Sequence, residues 1–157
     1  MSSYIDSNLL NDEQVLYRGK LSIWSLMRHI LLGLTFVLLG LVFILLVGWV
    51  FMGAIGMIFG VIFWIAAYLI YISTEMAVTN KRVMAKKGVI RRETVEMFLT
   101  KVESIKVDQS ILGRIFNFGS VIIKGTGGDA APFNGIGDPL RFRKEFMSAA
   151  DTIQSKI

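Results

Sequence analysis

The residues best suited to chemistry are six basic side chains that follow a long apolar run. They lie in the stretch VTNKRVMAKKGVIRRE, residues 78–93, and are Lys81, Arg82, Lys86, Lys87, Arg91 and Arg92. A cationic cluster can contact anionic lipid headgroups, bind nucleic acid, or retain its flank on the cytoplasmic side of a membrane. Nucleic acid is disfavoured, because no recognisable reading helix accompanies the cluster. We therefore expect a topology determinant, with these six residues as the candidate lipid- or partner-facing set.

No pattern in the sequence predicts a catalytic, cofactor-binding or metal-binding residue. The glycine-rich KGTGG, residues 124–128, lacks the order of a phosphate-binding P-loop and indicates a tight turn. The single histidine, His29, has no obvious nucleophilic partner and lies beside Arg28 at the start of the apolar run. With no cysteine and one histidine, the usual zinc and iron ligand sets cannot be assembled. We expect a non-enzymatic protein without a cofactor.

The apolar run covers residues 30–72 and contains no charged residue. As one helix it would rise about 65 Å, roughly twice the hydrocarbon thickness of a bilayer. Two spans joined by a short turn fit better, and the glycines and tryptophan of VGWVFMG, residues 47–53, place the turn there. The sequence thus predicts a transmembrane hairpin over 26–72, with spans at 26–47 and 54–72. A hairpin that enters and leaves on one side without crossing the membrane is the alternative.

Charge determines the expected orientation of the hairpin. Arg18 and Lys20 precede it, Arg28 lies at its start, the six basic residues follow it, and the turn carries no charge. The positive-inside rule places both termini in the cytoplasm. Between residues 30 and 72 the spans hold no charged residue that would line a permeation path, which argues against a channel or transport component without removing that alternative.

Small residues in the second span predict close helix packing. Gly53, Gly56 and Gly60 lie near one helical face and include a GxxxG motif, which lets helix backbones approach one another. Whether this face packs on the first span or on another protomer stays open.

After the hairpin the pattern changes to short alternating runs and a final amphipathic helix. Strands are predicted at 75–78, 83–86, 94–99, 102–107, 120–124 and 131–134, with a short helix inside 108–116. Asp138 and Pro139 are typical of a helix start, and an apolar face follows at Phe142, Phe146, Ala149, Ile153 and Ile157. These patterns predict an α+β fold over 74–157, a small partly closed antiparallel β-barrel or sandwich capped by the C-terminal helix. Residues 1–25 form a cytoplasmic N-terminal segment.

Several motifs together resemble a known family. The segments VTNKRV, KKGVI and LTKVESIKVDQSILGRIFNFGSV, with LNDEQVL at residues 10–16, resemble the bacterial pleckstrin-homology-like membrane proteins (the YdbS-like group). The resemblance implies a pleckstrin-homology-like (PH-like) barrel of about seven strands closed at one end by the C-terminal helix. It also implies two upstream transmembrane helices and no catalytic residues.

The residues and the resemblance lead to one expected function and two alternatives. We expect an integral protein of the bacterial inner membrane that presents a cytoplasmic PH-like domain as a protein-binding scaffold or accessory subunit, alone or as a homo-oligomer. The alternatives are recognition of anionic lipid headgroups by the basic stretch, and an oligomeric channel or transport component.

Overall fold

The computed structural model describes residues 4–88, 92–128 and 130–154, in two compact units. One unit is Leu26–Ile72, and the other combines residues of Met1–Ser25 with residues of Ser73–Ile157. The second unit is therefore discontinuous in the chain, because the first unit interrupts it. The sequence interpretation treated 1–25 and 74–157 as separate segments and did not anticipate this union.

The unit Leu26–Ile72 is a helical hairpin. A single turn of helix, α1 (Tyr4–Ser7), precedes the hairpin in the chain. Helix α2 covers Met27–Val42 and continues through a π-helical turn at Phe43–Val47. Gly48 ends it with φ +72°, a left-handed conformation that glycine adopts without a steric penalty. Helix α3 then runs over Val50–Ser73, so the connection is shorter than the predicted 47–53 turn.

The other unit contains a four-stranded antiparallel sheet in chain order. Its strands are β1 (Val15–Gly19), β2 (Glu75–Thr79), β3 (Arg82–Lys87) and β4 (Glu93–Phe98). Strand β1 comes before the hairpin and pairs with β2 after it, with Arg18 opposite Ala77. The central strands β2 and β3 are buried along most of their length on both faces, because α1 packs on their outer side.

A three-stranded sheet follows. A 3₁₀ turn (Leu99–Lys101) leads into β5 (Val102–Asp108), the short helix α4 (Ile111–Ile115), β6 (Phe118–Gly125) and β7 (Ala130–Gly137). The order is β5-β6-β7, and all pairings are antiparallel. Every predicted strand is present within a residue or two of its expected start, except that β6 and β7 are longer than expected.

The strand pairing confirms the predicted fold in part, because the described sheets are antiparallel but do not close into a barrel. Within the described residues the two sheets are not joined by a β4–β5 or β1–β7 ladder, and an isolated bridge between Leu21 and Ile136 links them at one corner. The physical reason lies at the 3₁₀ turn, where β4 and β5 follow one another without pairing. The fold is mixed helix and sheet, and in the described part of the chain the edge of β5 is not paired with the four-stranded sheet.

The C-terminal helix α5 (Pro139–Gln154) covers the core between the sheets. Asp138 caps it, since its Oδ1 accepts from the Arg141 amide at 3.3 Å. The predicted apolar face is buried at Phe142, Phe146 and Ala149. Ile153 is partly buried against the same core, and Ile157 lies outside the described residues.

Candidate functional site

The described residues of the basic stretch do not form one continuous surface, because two of the lysines contact the N-terminal segment. The Lys81 ammonium donates to the Asn11 carbonyl at 2.6 Å. The Lys86 ammonium lies 5.6 Å from the centroid of the Tyr4 ring, within cation–π range. Both side chains are partly buried by contacts inside their own unit.

The exposed charge of the stretch lies at the β3–β4 connection. Lys87 and Arg92 are exposed there, and Lys87 is directly opposite Glu93 in the antiparallel register. An opposite charge across the strands reduces the local positive potential. Arg91 lies outside the described residues, so its predicted role stays a prediction.

Arg82 is not on the surface, which corrects the expectation that it faces a lipid or partner. It is 7% exposed and ion-paired at both ends of its guanidinium. Nε and Nη2 donate to the two carboxylate oxygens of Glu13, each at 3.0 Å, and Nη1 donates to Glu96 at 2.5 Å. Nη2 also donates to the Asn8 carbonyl at 2.6 Å. The N-terminal segment covers the outer face of β3, and that burial is the physical reason for the correction.

Glu13 is the buried centre of this cluster, which we call the Glu13–Arg82 cluster (Glu13, Thr79, Arg82 and Glu96). Besides Arg82, its carboxylate accepts from the Thr79 hydroxyl and from the Leu10 amide, both at 2.7 Å. The four donors compensate for the loss of water around a buried carboxylate. Sequence reasoning missed Glu13, because nothing in its spacing pairs it with a residue 69 positions later.

The pKa of Glu13 has two opposing influences. Burial raises the pKa of its carboxyl, but hydrogen bonds from Arg82, Leu10 and Thr79 outweigh burial and hold the pKa below its usual value. A carboxyl with a lowered folded-state pKa stabilises the protein above its unfolded pKa of about 4.3. That contribution is lost as the pH falls through the folded-state value.

Glu13→Gln is therefore expected to lower the stability of the folded protein at neutral pH. It should also reduce the further loss of stability that acidification causes, which we call the acid response. The expected loss is about 1.5–3 kcal/mol, the range for a hydrogen bond to a charged group. Hydrogen exchange of β1 and β2 amides in the full chain, measured between neutral and acidic pH, checks this. Asp12→Asn is the matched control, because Asp12 is exposed and its φ of +62° is one that asparagine tolerates. An acid response unchanged by Glu13→Gln would contradict the assignment.

A groove of about 850 Å³ opens between β5 and α5. Its floor and walls come from residues 99–100 and 102–105 and from one side of α5, including Phe146 and Met147. Among the lining residues, Glu103 and Asp151 carry negative charge and none is basic. Strand β5 is at the edge of its sheet, and within the described part of the chain it pairs with β6 alone.

The predicted glycine face lies inside the hairpin. A Cβ added at Gly53 would be 2.5 Å from the Gly40 carbonyl oxygen, and one at Gly60 would be 2.7 Å from the Gly33 oxygen. Gly56 is similarly close to the Gly40 backbone, with 3.2 Å between its Cβ position and Gly40 Cα. All three glycines thus face α2 at backbone contact distance.

The remaining sequence candidates have structural roles. Of residues 124–128, the first two end β6 and the other three lie in the turn toward β7, where Gly128 has φ +82°. His29 lies in α2. Across the described ranges, histidine, aspartate and glutamate side chains do not gather in a group of three or more that could hold a metal.

Comparison with known proteins decides the family. A model of the bacterial PH domain matches residues 28–156, which is most of the chain. The chain belongs to the bacterial PH domain family. No curated protein and no solved structure matches it.

This bacterial PH domain family is non-catalytic, and the match includes both walls of the groove. The match begins at residue 28 and so leaves out Glu13 and β1. In this bacterial PH domain protein, β1 and the buried carboxylate of Glu13 therefore come from residues that precede the matched range.

Proposed function

We propose that the protein is a non-enzymatic adaptor of the bacterial inner membrane, and that its PH-like domain binds an extended segment of a partner protein. The observation that carries the proposal is the groove along the edge of β5. The hairpin serves as the anchor, and the domain faces the cytoplasm.

Two helices support the anchor. The stretches Ile23–Val47 and Val50–Ser73 are 25 and 24 residues long and apolar enough to cross a membrane. Each would rise about 36 Å, enough for a hydrocarbon core of about 30 Å. Their outward-facing side chains are large and apolar, and few of the residues are buried within the structure itself.

Strand pairing supports an even number of crossings. Strand β1 enters the sheet before the hairpin, and β2 enters it after the hairpin. The two can pair only if both ends of the hairpin lie on one side of the membrane. Basic residues on both flanks favour the cytoplasmic side.

The groove fits an extended peptide better than a small molecule. An edge strand offers backbone amides and carbonyls to an added strand, and pockets beside it select side chains. The opposite edge of the same sheet, β7, contains Pro132 and is bridged by Leu21, which disfavours strand addition there. Glu103 and Asp151 complement basic side chains, so the proposed partner segment is apolar and basic.

Contacts made by the basic side chains within the protein favour the groove over the basic stretch as the recognition surface. Arg82 is buried in an ion-paired cluster, and Lys81 and Lys86 are engaged by the N-terminal segment. A binding site for lipid headgroups would then depend chiefly on the exposed side chains at the β3–β4 connection, Lys87 and Arg92.

Site-specific photocrosslinking tests the groove. A photoreactive residue at the exposed groove position Ser104 is expected to give a discrete protein adduct in native membranes, whereas one at exposed Asn134 on β7 is not. The charge-reversal pair Glu103→Lys and Asp151→Lys should reduce the Ser104 adduct severalfold. Equal labelling at both positions, or an adduct insensitive to charge reversal, would refute the proposal. An adduct of twice the chain mass would identify a second copy instead, and lipid adducts would favour the headgroup alternative.

A further inference from the structure

The short helix α4 presents an apolar surface to solvent. Ile111, Leu112 and Ile115 are 80%, 58% and 67% exposed, although they are among the most hydrophobic residues of their unit. Gly113 forms the opposite face of the turn, where a Cβ would lie 2.5 Å from the Phe118 carbonyl oxygen. Close packing of Gly113 on the start of β6 therefore directs the three large side chains outward.

This surface continues into the residues that lead to the first candidate span. The Trp24 indole stacks on the Phe116 ring, with 4.0 Å between centroids. Trp24 and the 60% exposed Ile23 already belong to the candidate span Ile23–Val47. We call Ile23, Trp24, Ile111, Leu112 and Ile115 the apolar rim.

The chain before the span is held to the domain rather than loosely linked. The Ser22 amide donates to the Gly135 carbonyl at 2.8 Å, and the Gly137 amide donates to the Lys20 carbonyl at 2.9 Å. These bonds join the entry segment to β7. The apolar rim is thereby fixed to residues that enter the membrane in the proposed arrangement.

Several polar groups in and beside α4 are paired within the chain, which lowers the cost of entry into a low-dielectric region. Ser110 Oγ accepts from the Gly113 amide at 3.1 Å. The Gln109 side-chain amide donates to the Phe118 carbonyl at 3.2 Å, and the Phe116 amide donates to the Leu112 carbonyl at 2.9 Å. Arg114 is long enough to keep its charge among phosphates while its stem lies along apolar surface.

We infer that α4 inserts into the cytoplasmic face of the same bilayer that the hairpin crosses, as a shallow interfacial element at the boundary of headgroups and acyl chains. The inference rests on the proposed membrane anchoring. Its ligand is the lipid surface, bound through the apolar rim with Arg114 at phosphate level. The insertion fixes the orientation of the domain, and so of its groove, relative to the membrane.

Depth-dependent fluorescence quenching tests the insertion in the full chain, reconstituted in nanodiscs. The sequence has no cysteine, so single cysteines can carry an environment-sensitive dye at Leu112, at Thr126 and at Leu38. Leu112 and Thr126 lie beyond opposite ends of the eight-residue β6, a strand about 26 Å long. We expect blue-shifted emission at Leu112 and severalfold stronger quenching by a doxyl group near the headgroup than at Thr126. Trp24→Ala should weaken the Leu112 quenching.

The Leu38 probe distinguishes failure of the membrane anchoring from failure of the α4 insertion. Quenching of Leu38 by a doxyl group deep in the acyl chains reports the crossing itself. If Leu38 is quenched and Leu112 behaves like Thr126, insertion of α4 is overturned and the anchor stands. A blue-shifted but unquenched Leu112 probe would indicate protein contact and would also overturn the insertion. If Leu38 is not quenched, the membrane anchoring fails.

Discussion

Arg82→Ala is expected to destabilise the discontinuous unit by about 3–5 kcal/mol, the cost of breaking a buried ion pair from one side. The variant leaves the carboxylate of Glu13 buried without its main partner. It also releases the contact between the N-terminal segment and β3 that the Asn8 carbonyl completes. Because total stabilities are about 5–15 kcal/mol, a loss of this size approaches unfolding of the unit.

Hydrogen exchange of the β1–β3 amides in the full chain measures the effect. A loss of 3 kcal/mol corresponds to about a hundredfold faster exchange where global opening controls the rate. Lys87→Ala, five residues along the same strand and exposed, is the matched control and should change exchange little. Arg82→Lys should fall between the two, since lysine keeps the charge but cannot form the two-pronged contact with Glu13. Equal exchange in Arg82→Ala and Lys87→Ala would show that the cluster does not hold the unit together.

Gly40→Leu is expected to separate the two helices of the hairpin. A Cβ at this position would be 2.6 Å from the Gly53 carbonyl oxygen, and a backbone atom cannot move aside as a flexible side chain can. The cost is about 1–3 kcal/mol or more, as for other overpacked contacts. The hydrogen bond from the Trp64 indole to the Ile30 carbonyl, 3.2 Å in the structure, should also be lost.

Crosslinking between the helices checks this in the cysteine-free chain. Cysteines at Phe36 and Phe63, whose rings stack 5.6 Å apart, should react with a short bifunctional reagent in the parent and severalfold less in Gly40→Leu. Ala54→Leu places the same leucine side chain on an exposed side of α3 and should leave the yield unchanged. Reduced yield in both variants would mean that the added volume, and not the glycine contact, separates the helices.

Features set by local pattern were accessible from the sequence. The uncharged run predicted two long apolar helices, because length and composition alone determine whether a helix can cross a bilayer. The spacing of Phe142, Phe146 and Ala149 predicted the buried face of α5, since helical period fixes which side chains share a face. Short β runs separated by turn residues predicted most of the strands.

Features set by contacts distant in the chain were not accessible. Strand β1 pairs with a partner beyond the whole hairpin, and no periodicity reports such a pairing. Arg82 looked like an exposed strand residue because the burial of its face depends on the N-terminal segment. The groove, likewise, exists because the sheets separate at the 3₁₀ turn, a geometry that the short alternating runs leave undetermined.

The most direct measurement of the proposed arrangement is labelling of single cysteines with a membrane-impermeant maleimide in intact spheroplasts. Trp49 lies in the connection between α2 and α3, and Thr126 lies in the β6–β7 turn; both side chains are exposed. A cysteine at Trp49 should be labelled in intact spheroplasts, and one at Thr126 only after lysis. Labelling of Thr126 before lysis, or protection of Trp49 throughout, would contradict a hairpin that crosses the membrane and holds one domain in the cytoplasm.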